Sequence, residues 1–103
     1  AEEAEAKIKE LTNKLAEKEY QSAYTYEKMS YERAAIKYYA IVADSYHDTE
    51  FGSKSLYRKI KLEVGKGMKD EALADISTYL ARYPDNSDSK ELQDLEQSLS
   101  KAK

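Results

Sequence analysis

The sequence has 103 residues, of which 36% are charged and 41% hydrophobic, and its net charge is −3. Its 17 basic and 20 acidic residues are interspersed, so no basic stripe marks a nucleic-acid partner. The absence of Cys excludes disulfides and thiol catalysis. Because there is also only one His, a transition-metal site is not expected, and we expect no cofactor. No apolar run approaches the ~20 residues that a membrane span requires.

Helix breakers are scarce, and this scarcity indicates the fold class. One Pro and three Gly favour long helices over a β fold with many turns, and we expect one all-α domain over residues 1–103. Apolar residues recur at helical spacing in five segments. These segments predict helices at residues 2–29, 31–46, 50–64, 69–83 and 88–101.

Boundary residues separate the predicted helices. Ser30 is the N-cap candidate for the second helix, and Asp48 or Thr49 is the candidate for the third. The glycines at 65 and 67 are expected to end the third helix, because glycine adopts the left-handed conformation at a helix C-terminus at low cost.

Six of the ten tyrosines lie in residues 19–39, EYQSAYTYEKMSYERAAIKYY. Helical spacing places most tyrosines of the first two helices on inward faces, where the ring packs and the hydroxyl stays near the rim. These are Tyr20, Tyr24, Tyr31, Tyr38, Tyr39 and Tyr46. Tyr26 lies off the main stripe of the first helix, and Tyr38 adjoins the fully inward Tyr39. We expect these two edge positions to reach a partner, as tyrosines often do at interfaces.

Two segments align without a gap at an offset of 37 residues, YERAAIKYYAIVADSYHDT at 31–49 and MKDEALADISTYLARYPDN at 68–86. The aligned pairs include Tyr31 with Met68, Ala35 with Ala72, Tyr39 with Ile76, and Tyr46 with Tyr83. A period in the thirties with two helices per unit is typical of a helical-hairpin solenoid. Small residues at 35 and 72 let the two helices approach closely, and neighbouring hairpins stack to bury their faces.

These positions resemble the tetratricopeptide repeat, which places a small residue and an aromatic in its second helix and a proline after it. His47 stands where the second unit has Pro84. Residues 14–51 further resemble the last repeats of the BamD family of outer-membrane assembly lipoproteins. The residues that carry this resemblance are Leu15, Ala16, Glu19, Tyr20, Ala23 and Tyr26, then Tyr46, Asp48 and Thr49. The similarity extends over about residues 10–86.

The resemblance implies a non-enzymatic scaffold on the periplasmic face of the bacterial outer membrane. There it would bind the barrel-forming subunit and accessory lipoproteins of the assembly complex. Residues 1–103 would be the C-terminal part of a longer chain, whose lipid anchor lies outside this sequence and makes the only membrane contact. The stripe of Ile8, Leu11 and Leu15 would then face an upstream repeat. By position, Lys37 and Tyr38 would lie near the barrel-forming subunit.

The basic residues, His47 and the remaining functional classes give further expectations. The basic residues of the middle helices are candidates for contact with an acidic partner surface, and the alternative is that they form solvated faces. They are Arg33, Lys37, Arg58, Lys59 and Lys61. His47 is expected to be a turn residue, because no nucleophile stands beside it, and no catalytic or metal-binding residue is predicted. The predicted partner-binding residues are therefore Tyr26, Arg33, Lys37 and Tyr38. The alternative function is a generic tetratricopeptide adaptor of the bacterial envelope, whereas a hydrolase or transferase has little support.

Overall fold

A computed structural model of the protein describes residues 2–101, and this part of the chain contains five α-helices. They are α1 (Glu2–Lys28), α2 (Glu32–Ser45), α3 (Glu50–Gly65), α4 (Lys69–Arg82) and α5 (Ser89–Lys101). No strand occurs among the described residues, and the predicted all-α fold is confirmed. Each helix begins and ends within one residue of its predicted bounds. Within residues 2–101, no helix combines the length and apolar character that crossing a membrane requires.

The 37-residue repeat is reproduced in the backbone. The second residue after α1 and the second residue after α3 both have a positive φ, 66° at Ser30 and 75° at Gly67. One residue later, the N–H groups of Tyr31 and Met68 donate to the carbonyl five residues back, at 2.9 and 2.8 Å. Both turns therefore end the first helix of a hairpin by the same left-handed closure.

The C-terminal ends of α2 and α4 match in the same way. The N–H of Tyr46 donates to the carbonyl of Val42 at 2.9 Å, and the N–H of Tyr83 donates to that of Tyr79 at 2.7 Å. The backbone φ values at these two ends are −128° and −130°. Both turns recur after 37 residues, so α1 with α2 forms the first hairpin and α3 with α4 forms the second. The last helix, α5, begins where a third hairpin would begin.

The structure corrects one predicted cap. Ser30 does not cap α2, since the N-cap position is Tyr31, whose side chain makes no capping hydrogen bond. The turn that closes α1 holds Ser30 in the left-handed region, and this conformation is incompatible with an N-cap. Thr49 does cap α3, because its Oγ1 accepts a hydrogen bond from the N–H of Gly52 at 3.2 Å.

The chain forms two compact units, residues 1–56 and residues 57–103. In the first unit α1 packs against α2, and in the second α4 packs against α5. The apolar core of the first unit comprises Ala16, Ala23, Ala35, Tyr39, Val42, Ala43 and Leu56. That of the second comprises Ile60, Ala72, Ile76, Tyr79 and Leu92. The single domain expected over residues 1–103 stays a prediction.

Tyrosine rings complete the packing of the first unit. The ring of Tyr20 lies 5.8 Å from that of Tyr39 and 5.5 Å from that of Phe51. The fully buried Tyr39 donates its hydroxyl hydrogen bond to Oε1 of Glu27 at 2.7 Å. The polar tip of this core ring is therefore satisfied, as a buried tyrosine requires.

The first half of α1 presents an apolar stripe to solvent. Ile8, Leu11 and Leu15 are 63%, 60% and 52% exposed. They lie at helical spacing on one side of the helix, as the sequence predicts.

Candidate functional site

The two edge tyrosines of the sequence meet in the structure. Tyr26 lies in the last turn of α1 and Tyr38 lies in the middle of α2. Their rings stack with centroids 5.1 Å apart and planes inclined by 9°. Tyr31 joins them, with its ring centroid 6.4 Å from that of Tyr26. We call Tyr26, Tyr31 and Tyr38 the tyrosine cluster, and such close ring pairs stabilise one another beyond simple burial.

Tyr31 is not inward, and its predicted place on the buried face of the second helix is wrong. It is 56% exposed, whereas Tyr26 and Tyr38 are half-buried. The reason is that Tyr31 precedes the helix, at a φ of −89° and ψ of 71°, so helical spacing does not position its side chain. The cluster therefore consists of one exposed ring and two half-buried rings.

The two predicted cations lie on α2, the helix that carries Tyr38. Arg33 and Lys37 are both exposed and stand four residues apart, which places them on one side of the helix. Ile41, another four residues on, continues this row and is 40% exposed. The structure thus puts all four predicted residues on the same hairpin and adds Tyr31 and Ile41 to them.

The second hairpin shows that this apolar face is not a requirement of the repeat. Position 38 is Tyr in the first hairpin and Asp75 in the second, and Ile41 corresponds to Thr78. Tyr26 corresponds to Glu63. Since the backbone turns match, the difference lies in the side chains alone.

The other basic residues of the middle helices have structural partners. Lys61 Nζ lies 3.1 Å from Oε2 of Glu91, and the hydroxyl of Tyr57 donates to the same carboxylate at 2.8 Å. Partial burial and the hydrogen bond to Glu91 raise the pKa of Tyr57 to about 12. The hydrogen bonds from Tyr57 and Lys61 lower the pKa of Glu91. These contacts occupy Lys61 within the second compact unit.

Sequence reasoning missed a buried charged cluster in the second hairpin. Lys59 Nζ lies 3.2 Å from Oε2 of Glu63 and also hydrogen-bonds to Asp75. Glu63 is 1% exposed, although it lies among the polar residues of α3. No local signal predicts this burial, since Glu63 occupies the position of the half-buried Tyr26 in the repeat.

A groove of about 640 Å³ runs between the first half of α1 and the start of α3. Its charged lining residues are Lys9, Glu10, Lys14, Glu17, Asp48 and Glu50. Four carboxylates and two lysines line it, so the groove is mildly acidic.

Residues 1–73 match a protein family described as outer membrane lipoprotein, YfiO. The match covers all of the first hairpin and reaches the first turn of α4. No curated protein shows significant similarity to the chain.

Proposed function

The chain belongs to the YfiO family of outer membrane lipoproteins, and on that premise we propose that it is a non-enzymatic scaffold that binds other proteins of the outer-membrane barrel-assembly machinery. The observation that carries this proposal is the tyrosine cluster. It is an aromatic, partly open surface on a hairpin that also carries two exposed cations, at a register where the second hairpin has polar residues.

The geometry of the cluster suits binding without rearrangement. Stacking of Tyr26 on Tyr38 holds both rings in place before a partner arrives. Less side-chain entropy is then lost on association, and rigid aromatic rings contribute most of the affinity at many interfaces. Arg33 and Lys37 would guide an acidic partner surface to the rings, because exposed charges act mainly on the rate of association.

Family membership supports the choice of partners. These are the barrel-forming outer-membrane subunit and the accessory lipoproteins of the same complex, bound on the periplasmic face of the outer membrane. In this proposal the membrane is contacted only through a lipid anchor outside the present sequence. The contact residues are Tyr26, Arg33, Lys37 and Tyr38, together with Tyr31 and Ile41.

The test transfers side chains from the second hairpin to the first. The double variant Tyr38→Asp/Ile41→Thr introduces residues that the same backbone already carries at 75 and 78. Binding of the chain to the purified periplasmic domain of the barrel-forming subunit is measured by calorimetry. We expect about 30-fold weaker binding, the loss typical of removing one central aromatic contact.

The matched control is Thr78→Ile, the reverse exchange on α4, which should leave affinity unchanged. Circular dichroism verifies that both variants keep their helices. Equal affinity of Tyr38→Asp/Ile41→Thr and the unaltered chain would exclude this face as the contact surface.

The alternative is a generic tetratricopeptide adaptor that binds a different envelope protein. The exposed stripe of Ile8, Leu11 and Leu15 favours it, because an apolar helix face of this kind also pairs with other helices. If the barrel-forming subunit does not bind and a cross-linked envelope protein is lost on Tyr38→Asp/Ile41→Thr, the adaptor function replaces the assembly function.

A further inference from the structure

The second hairpin encloses three charged side chains between its helices. Lys59 and Glu63 lie one turn apart on α3, and Asp75 faces them from α4. We call these residues the charged cluster. The side chain of Glu63 is 2% exposed, that of Lys59 is 17% exposed and that of Asp75 is 20% exposed. All three are therefore largely removed from water.

The charges in this cluster do not balance. One ammonium group faces two carboxyl groups, and Lys59 bonds to Asp75 and to Oε2 of Glu63. Oε1 of Glu63 is buried and has no hydrogen-bond partner within the described residues. A buried carboxylate with one oxygen unsatisfied is costly, so the cluster is more stable when one carboxyl group carries a proton.

We propose that a proton on Glu63 holds α3 against α4, and that this hairpin loosens when the Glu63 carboxyl ionises. The charged groups that face Glu63 are Lys59 on its own helix and Asp75 on α4. Asp75 keeps Lys59 as its ion-pair partner in both states. Ionised Glu63 then adds a second negative charge to a site with a single cation, which pushes the two helices apart.

The direction of the pH effect follows from the proton affinity of the folded chain. Burial raises the pKa of Glu63 most, Asp75 also raises it and Lys59 lowers it, and the resulting value is about 7. Because this value is above the ordinary 4.5, the stabilisation is complete below pH 4.5 and is lost as the pH rises through about 7. The pKa of Lys59 is raised from 10.5, so its own contribution changes only in alkaline solution.

The first hairpin supplies an internal reference. The positions that correspond to Lys59, Glu63 and Asp75 hold uncharged Ser22, Tyr26 and Tyr38. The first hairpin therefore has no counterpart of the buried carboxyl pair at these positions. The pH effect should be confined to the second hairpin, which separates it from a general effect of pH on the protein.

The experiment follows the whole chain at about pH 5.5 and about pH 8. Amide hydrogen exchange, corrected for intrinsic rates, should be at least about tenfold faster in α3 and α4 at the higher pH, with α1 and α2 unchanged. In Glu63→Gln, whose amide cannot ionise, this difference should disappear. Glu91→Gln, at an exposed carboxylate, is the matched control and should keep it.

A second measurement keeps the test decisive if Glu63→Gln does not fold. The chemical shift of the Glu63 carboxyl carbon is followed by NMR as the pH is changed in the unaltered chain. The midpoint of this titration should lie near pH 7. A midpoint near the ordinary 4.5, or an unchanged pH effect in folded Glu63→Gln, overturns the proposal. This result is independent of the partner-binding function, because the experiment contains no partner.

Discussion

The two hairpins have matching backbone turns and differ in the side chains that they place between their helices. The first hairpin stacks Tyr26 on Tyr38, and the second places Glu63 and Asp75 at the same two positions. The turns that follow α1 and α3 nevertheless close with the same hydrogen bonds. The repeat geometry therefore depends on the turns and the small core residues. The side chains at the positions of Tyr26 and Tyr38 can differ between the hairpins without changing this geometry.

The largest expected effect concerns the close approach at the start of α3. A Cβ at Gly52 would lie 2.5 Å from the carbonyl oxygen of Tyr46, whereas the corresponding Ser89 carries a side chain that bonds to the carbonyl of Tyr83. Gly52→Ala should therefore destabilise the chain by about 3 kcal/mol, measured by urea unfolding.

Gly65→Ala is the matched control for this substitution, because nothing lies within 4 Å of a Cβ there. It should be neutral or slightly stabilising. Equal losses from the two glycine variants would contradict the close contact at Gly52 as the cause of the effect.

Removing the cation of the charged cluster is the next largest change. Lys59→Met leaves Asp75 without its ion-pair partner in a poorly hydrated site. We expect a loss of about 2 kcal/mol by urea unfolding at pH 8, less than for a rigid buried ion pair because Glu63 can take up a proton. The substitution also makes the second hairpin more like the first, which has the uncharged Ser22 at the corresponding position.

Lys61→Met tests whether any lysine of α3 would have the same effect. Its ion pair with Glu91 is about half exposed on both sides, so the loss should be below about 1 kcal/mol. If the two lysine variants are equally destabilised, the buried site has no special role.

The hydroxyl of Tyr39 gives a smaller difference between the hairpins. It bonds to Glu27, and the corresponding Ile76 has no such group. Tyr39→Phe should cost about 1 kcal/mol in thermal or urea unfolding, the usual net value of one hydrogen bond. Tyr57→Phe removes a more exposed hydroxyl and should cost less, and the reverse order would contradict the burial argument.

The smallest effect on folding is expected at the exposed stripe of α1. Leu15 is 52% exposed, whereas the corresponding Gly52 is buried against the preceding turn. We expect the chain to self-associate through this stripe at high concentration. Leu11→Glu should reduce the mass measured by light scattering. The free energy of unfolding of this variant should be nearly unchanged. Gln21→Glu, on another side of α1, is the control, and a monomeric unaltered chain at high concentration would refute the expectation.

Much of the fold can be read from the sequence because its signals are local. Helical spacing, the glycines at 65 and 67, and the 37-residue offset place every helix within one residue. The pairing of Tyr26 with Tyr38 is partly predictable, since both lie at the edges of facing stripes. Helical spacing wrongly predicts that the side chain of Tyr31 is buried, because this residue precedes the helix.

The helices, their boundaries and the repeat can be predicted, because they follow from contacts among residues near in the chain. Which side chains are enclosed depends on contacts between helices. Glu63 has no local feature that predicts burial, and its surroundings come from α4 as well as from its own helix. Tyr26 occupies the same register and stays half-buried, because Tyr38 stacks on it and leaves its edge open. Burial is a property of neighbours brought together from distant parts of the chain, and periodicity along one helix does not specify them.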